Sequence, residues 1–528
     1  MTTIDWWVVG LYLAAMIGLS LIIARGQHDR RDYYLGGNRS GPLAIALSTL
    51  ATQCSTNSIL GAPAFVAFSL GGGLVWLQYE LAVPLAMIVI MALLLPTFRS
   101  LQLVSVYEFL ERRFGLATRL TLSLTFQFVR AFATGVTVYG IGLVLTVCLE
   151  TDFVTAVILL GIVTIVYDAI GGMRAVIVSD VIQLTVLFLA ILVAIFVALD
   201  VLGGVEAVIA AAPAERLATL DFASTGWGDG EDYAFWPMLF GGLFLYVSYY
   251  GVDQSQTQRL LSSRNVAEGN RALLLNGLLR FPLVLSYCLL GICIAALAAT
   301  DPDFVSGLPL RADGEPNYNL AVPQFVFEQF PPGLVGLVMV GLFAAAMSSL
   351  DSVLNALSAT TMEDLVRRLR RDPLPERLEF VLAKILTVFW GAVTVAMAFV
   401  VDDIAASVLI AINKIGSLIN GPLLAVFVVG LLTRRVDQRA VLCGLAAGIA
   451  VDVWLWLGHP GVSWLWWNVT GFLATVFVAL LVPSRAEAVA GHAVAFDAEA
   501  LGRRWWPSYV LLGAWAGGIV LVMLLLAP

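Results

Sequence analysis

About fourteen apolar runs, each near twenty residues long, recur along the whole chain, centred near residues 14, 56, 86, 132, 163, 189, 244, 285, 347, 390, 418, 448, 473 and 517. Wound as an α-helix, which advances about 1.5 Å per residue, such a run spans the ~30 Å hydrocarbon layer of a bilayer. Helices satisfy this solvent because their backbone hydrogen bonds close within the segment. With 60% hydrophobic and 12% charged residues over 528 positions, too few polar side chains remain to coat a water-soluble surface. The expectation is an all-α integral membrane protein with no soluble domain between its spans.

The net charge of -8 hides a sorting of basic residues by loop. Arg30 and Arg31, Arg112 and Arg113, Arg174, Arg259 and Arg264, Arg367, Arg368, Arg370 and Arg371, Arg434 and Arg435, and Arg503 and Arg504 follow alternate spans. Those linkers face the cytoplasm by the positive-inside rule, which puts both termini outside. The intervening linkers hold few basic residues; Arg216 and Arg311 are the exceptions, in the two longest, about 203–233 and 300–332. Residues 4–24 lack a preceding basic region and a small-residue cleavage site, so they read as a retained span. The plasma membrane, or the inner membrane of a bacterium, is the expected location. No nucleic-acid partner or obligate protein partner is expected. Cys54, Cys148, Cys288, Cys293 and Cys443 lie in or beside apolar runs without a CxxC pair, which argues against structural disulfides and zinc. The sequons at Asn38 and Asn468 fall in a cytoplasmic loop and a span, so neither is expected to carry a glycan.

Two runs depart from plain Leu/Val/Ala composition. The second, 42–70, contains Thr52-Gln53-Cys54-Ser55-Thr56-Asn57-Ser58, then Gly61 and Pro63. Polar residues at mid-membrane followed by a helix breaker fit a discontinuous helix whose freed carbonyls line a cavity. Close helix contact through small hydroxyl residues is the structural alternative. The ninth run carries Ala345, Ser348, Ser349, Ser352 and Asn355 on one helical face. Hydroxyls there, with carbonyls from an unwound neighbour, offer the neutral oxygens that a hard monovalent cation takes; tight packing explains the same stripe. Charges inside spans are costly and mark functional candidates. Asp351 lies a turn from Ser348 and Asn355; Asp180 sits near a cytoplasmic helix start, where solvent or the helix dipole accounts for it. Arg130, Asp253, Arg280, Lys384, Lys414 and Asp452 receive no role, since interhelical ion pairs or snorkelling explain such residues.

Further residues carry a resemblance. Asp32-Tyr33-Tyr34-Leu35-Gly36-Gly37, Tyr167-Asp168-Ala169-Ile170-Gly171-Gly172-Met173-Arg174-Ala175-Val176 with Ser179-Asp180 and Gln183, Asp253-Gln254 with Gln258-Arg259, and the segment 344–355 stand in one order and spacing. In these the chain resembles the sodium:solute symporters, the group of sodium/glucose, sodium/proline, sialic acid, iodide and monocarboxylate carriers. The resemblance covers nearly the whole chain. It implies a LeuT-like fold of five helices repeated in inverted orientation. On that reading 1–41 is a leading helix and loop, 42–432 the transport core and 433–528 additional helices. Core helices one and six, here 42–70 and 234–254, are implied to be broken.

The resemblance further implies Na+ as the coupling ion, bound by the carbonyls of Ala51, Cys54 and Ala345 and the hydroxyls of Ser348 and Ser349. A second cation in some members corresponds to Asp180, Ser348, Asp351 and Ser352; Asp351 departs from a simple serine ligand, so sodium, a proton or nothing are all open there. Solute contacts correspond to Gln53, Ser55, Thr56, Asn57, Ser58, Gln78, Tyr246 and Tyr249. Gln53 stands where some relatives have Asn or Asp, so a sugar is not implied. The expected activity is sodium-coupled symport of a small organic solute by alternating access, with a proton-coupled carrier or a membrane sensor on the same fold as alternatives. With about twenty residues after the last cytoplasmic loop, a fused signalling domain is not expected. A channel calls for a continuous polar pore and an enzyme for a converging nucleophile or metal set. His28, His459 and His492, all in linkers, supply no such set.

Overall fold

The computed structural model describes residues 1–311, 314–370, 372–402, 407–484 and 505–527, with the side chains of Asn57 and 401–413 excepted. Arg371, His492, Arg503 and Arg504 lie outside the described residues. Within them the chain is helical, and eleven helices are long and apolar enough to cross a membrane. One of the eleven, Phe153–Leu202, takes in two of the sequence candidates, and the candidates near 56 and 244 fall in interrupted helices instead.

Phe153–Leu202 has 50 residues, about 75 Å if straight, more than twice the hydrocarbon thickness. It turns at Gly172, whose φ of 56° and ψ of -167° belong to a region open essentially only to glycine. A Cβ there would meet Tyr33 Cδ2 at 2.6 Å and the Tyr33 carbonyl oxygen at 2.7 Å. Gly172→Ala is therefore expected to cost at least the roughly 1–3 kcal/mol of a strained backbone, plus the overlap with Tyr33. Thermal unfolding in detergent beside Gly10→Ala, where a Cβ meets nothing within 4 Å, checks this. Equal midpoints for the two variants would refute the account of the turn.

The elements fall into two successions of five. The first is the interrupted helix Pro42–Gln53, Thr56–Ile59 and Gly61–Phe68, then Leu74–Ser100, Leu116–Leu149, and the two arms 153–171 and 173–202. The second is an interrupted helix, Gly242–Gly251 and Gln254–Leu261, then Val266–Thr300, Leu334–Thr360, Glu376–Asp402 and Ser407–Leu432. The second break lies at Val252 and Asp253, the C-terminal edge of the range read from sequence, and Asp253 caps the following segment by accepting from the Ser255 amide at 2.8 Å. A short side-chain acceptor at a helix start satisfies an amide left without an intrahelical partner.

The helix Pro42–Gln53 packs against Phe153–Leu202, Val266–Thr300 and Leu334–Thr360, so the first break is enclosed by protein. The leading helix Thr3–Ala24 lies along Phe153–Leu202 and Leu334–Thr360, and Asp5 accepts from the amides of Gly333 and Gly336 at 2.7 and 2.8 Å. Gln438–Gly458 and Trp464–Leu481 pair beside Ser407–Leu432 on the periphery. Arginines from separate linkers meet at one end: Arg31 reaches the Gln102 carbonyl, Arg99 that of Arg264, and Arg368 the Glu111 carboxylate. Arg216 is bound at another part of the molecule, on the carbonyls of Ser69 and Gly72.

Candidate functional site

The Cys54 amide makes the last regular bond of the helix Pro42–Gln53, to the Leu50 carbonyl at 2.9 Å, and Cys54 itself, with ψ of 72°, leaves the helical path, so the carbonyls after Leu50 lie at a helix end. Leu334–Thr360 crosses this end. Ser348 Oγ lies 3.2 Å from the Ala51 carbonyl and 3.3 Å from that of Ala345. Ser349 Oγ lies 3.3 Å from the Thr52 carbonyl and 3.2 Å from that of Ala345. Four of the five residues expected to hold sodium thus converge, and Cys54 stands at the break beside them. All the gathered atoms are neutral oxygens, the donor set that suits a hard cation.

The solute residues are divided. Gln53 Oε1 and Thr56 Oγ1 are buried without a protein partner, while Ser58 is buried next to the Cys54 thiol. Tyr246 donates to Glu80 Oε1 at 3.2 Å, and Glu80 is paired with Arg280, Nε to Oε2 at 3.0 Å. Arg280 also reaches Cys54 Sγ at 3.3 Å, so one polar chain joins core helices six, two, seven and one. Gln78 is turned elsewhere: its amide donates to the Tyr233 carbonyl at 2.5 Å and accepts from the Asp221 amide at 3.2 Å, latching the segment before the second broken helix. Phe65, Trp76 and Tyr233 meet edge-on or tilted at the same end, with ring centroids 4.7 to 6.0 Å apart.

Tyr249 sits at the second break. Its hydroxyl accepts from Gln256 Nε2 at 2.7 Å, and the Arg130 guanidinium lies 5.2 Å over its ring. Arg130 in turn pairs with Asp253, Nε to Oδ2 at 2.6 Å. Of the second-cation residues, Asp180 and Ser352 both meet Arg259, whereas Asp351 accepts from Tyr167 and, at 3.0 Å, from Ser352. The linker position expected for Arg259 is corrected by the fold, which buries it completely.

Sequence reasoning missed Glu80 and Ser48 and gave Arg280 no role. An acid and a base inside separate apolar runs were the available signal, but they lie 200 residues apart and only the fold matches them. Two further charges in spans have local partners: Lys384 lies 4.7 Å from the Phe380 ring, and Asp452 accepts from Thr470 at 2.8 Å.

Residues 33–448 match the profile of the sodium:solute symporter family. The human sodium/iodide cotransporter is 30% identical over 86% of this chain and 70% of its own length. The sodium/sialic acid symporter of Aliivibrio fischeri is 27% identical over 91% of this chain and 92% of its own. A solved Na+-coupled sialic acid symporter, in a substrate-bound outward-open state, superposes with a TM-score of 0.80 at 23% identity, covering 91% of this chain and 97% of that one, which fixes the LeuT-like fold. With two interrupted helices, hydroxyls against carbonyls at the end of one of them, and a profile match over residues 33–448, this chain belongs to the sodium:solute symporter family and is a multi-pass membrane carrier that moves a solute with sodium by alternating access.

Proposed function

We propose that 42–432 is the transport core and that sodium binds where Ser348 and Ser349 meet the carbonyls of Ala51, Cys54 and Ala345. The carrying observation is the approach of both hydroxyls to carbonyls at the end of Pro42–Gln53. The solute binds beside it, against Gln53, Ser55, Thr56 and Ser58 on one break and Tyr246 on the facing helix. Gln53 Oε1 and Thr56 Oγ1, buried without protein partners, favour a solute with hydrogen-bonding groups. Because Glu80 neutralises Arg280, this wall offers polarity without a large net charge. The iodide and sialic acid in the relatives' names suit a small polar or anionic cargo. The arginine-bearing linkers gathered at one end support a cytoplasmic face there and both termini outside.

The test is uptake into proteoliposomes under an inward sodium gradient, across a panel of organic acids, sugars, amino acids and vitamins chosen by sodium-dependent thermal shift. Saturable accumulation that collapses with the gradient is expected; unsaturable leak would mean a channel. Tyr249 closes the inner side of the cavity, held by Arg130 and Gln256, and an aromatic ring swings aside by one rotamer change. Tyr249→Ala is accordingly expected to lower the accumulation ratio severalfold while leaving the sodium concentration for half-maximal uptake nearly unchanged. Wild-type accumulation in that variant would remove Tyr249 from the gate.

A further inference from the structure

Asp351 stands well inside the helix Leu334–Thr360, fully buried, and among the described residues no basic side chain forms an ion pair with it. The guanidinium of Arg259 lies instead on Asp180, Nη2 to Oδ2 at 3.0 Å, and Ser48 donates to the same oxygen at 2.5 Å. Asp351 meets hydroxyls: Tyr167 donates to Oδ2, while Ser352 lies 3.0 Å from Oδ1 but nearer, at 2.7 Å, to the Ser348 carbonyl that competes for its proton. A third carboxyl adjoins. Asp168 is fully buried, and its two oxygens, with the Asn355 amide nitrogen beside them, are left without a hydrogen bond. The Tyr12 hydroxyl and both polar atoms of Gln183 are likewise buried and unpartnered nearby. The titratable and charged groups facing Asp351 are thus Tyr12 of the leading helix, Tyr167, Asp168 and Asp180 of Phe153–Leu202, and Arg259 of Gln254–Leu261. Other helices packed on Leu334–Thr360 turn their charges elsewhere, Arg119 to Asp364, Arg130 to Asp253 and Lys384 to the Ile170 carbonyl.

We propose that Asp351 carries a proton through the transport cycle and passes it by way of Asp168 to the cytoplasm, so that the carrier couples its solute to a proton as well as to sodium. The inference rests on the placement of sodium at Ser348 and Ser349, a turn before Asp351. The proton is additional to any cation held at Asp180 and Ser352. Three buried carboxyls face one guanidinium among the described residues, and a buried carboxylate without a cationic partner is costly enough to be neutralised. The Tyr167 oxygen already lies against Oδ2, which leaves no room for a metal ion between them, whereas a proton needs none. Ser352 also bonds Thr52 Oγ1 at 2.8 Å and the Arg259 guanidinium, so it ties Asp351 to both interrupted helices. Movement of those helices frees or holds Ser352, and the hold of Asp351 on its proton changes with it. In the release step the Asp351 O–H bond breaks and an Asp168 O–H bond forms. Asp168 then yields the proton to cytoplasmic water at the turn at Gly172, where the half-buried Gln27 and Lys384 reach the Gly171 and Ile170 carbonyls. Asp351 takes up the next proton from the outer side.

Infrared difference spectroscopy of the full chain in lipid nanodiscs, titrated by pH at fixed sodium, reads the C=O stretch of protonated carboxyls. Wild type is expected to lose such a band as the pH rises, and Asp351→Asn to lack it. No band in wild type, or the same band in folded Asp351→Asn, overturns the proposal. Transport is followed in proteoliposomes loaded with a pH-sensitive dye, at clamped membrane potential, with an isotope-labelled mixture of organic acids, sugars, amino acids and vitamins outside; empty liposomes subtract the passive entry of protonated acids. With sodium equal on both sides, an acidic exterior is expected to raise accumulation severalfold over that without a pH gradient, the lumen acidifying as solute enters. Asp351→Asn and Asp351→Ser should bring the acidification per solute moved to background, and Asp168→Asn should slow it. Sodium-driven uptake in wild type without acidification overturns the proposal. Failure of the underlying assignment reads differently: wild type then takes up nothing on a sodium gradient, or Ser348→Ala leaves the sodium dependence unchanged, whatever the infrared band shows.

Discussion

Arg280→Ala is expected to destabilise the folded carrier by about 3–5 kcal/mol, the cost of leaving a buried charge without its partner. Glu80 is fully buried and its partners are Arg280 and the Tyr246 hydroxyl, so truncation of the arginine strands a carboxylate beside the first helix break. Glu80→Ala strands the guanidinium, whose remaining polar contact is the Cys54 thiol, and is expected to cost a comparable amount. Replacing both residues together by methionine should recover most of the loss, because apolar side chains of similar volume avoid the desolvation that the pair must offset. Denaturant or thermal unfolding of the three variants in one detergent is the measurement. Single variants as stable as wild type, or a double variant that loses the sum of both, would contradict the pairing. A double variant that folds yet fails in uptake would add that this charged pair shapes the solute cavity.

The second large effect is expected at the sodium residues. Ser348→Ala and Ser349→Ala should each raise the sodium concentration for half-maximal uptake at least several-fold, and the double variant further. A polar contact to a charged partner contributes about 1.5–3 kcal/mol, and every 1.4 kcal/mol is about tenfold in affinity. Stability without sodium should barely change, since the hydroxyls otherwise make only contacts of 3.2 to 3.3 Å to backbone carbonyls. Thermal unfolding against sodium concentration separates these terms, because a bound ion adds stability only in proportion to its occupancy. Sodium dependence unchanged in both single variants would move the site elsewhere.

Much of this site was legible because its signals are local. Seven successive residues from Thr52 to Ser58 cannot continue a lipid-facing helix comfortably, and the chain does stop at Gln53 and resume at Thr56. The serine stripe is set by helical periodicity alone, so Ser348 and Ser349 point together wherever the helix lies. The number of spans was less legible. Apolar content marks both arms of Phe153–Leu202 and Arg174 the linker between them, but the form of the turn depends on Tyr33 packing against Gly172, far along the chain. Gln78 was named only through the resemblance, and its partners, Asp221 and Tyr233, belong to a segment whose course no local pattern reveals.

The sequence by itself determined that the chain lives in a bilayer, where its second apolar run breaks and which hydroxyls share a face, because hydrophobicity, helix breakers and periodicity act between near neighbours; the second break came from the family resemblance. Only the tertiary structure decided the fate of the charges. Arg259 follows a span as a linker residue would, yet Gln254–Leu261 turns back into the protein and delivers it to Asp180, 79 residues earlier. Glu80 and Arg280 find each other across 200 residues. A buried charge is tolerable only beside its partner, and which partners meet is set by how the helices pack.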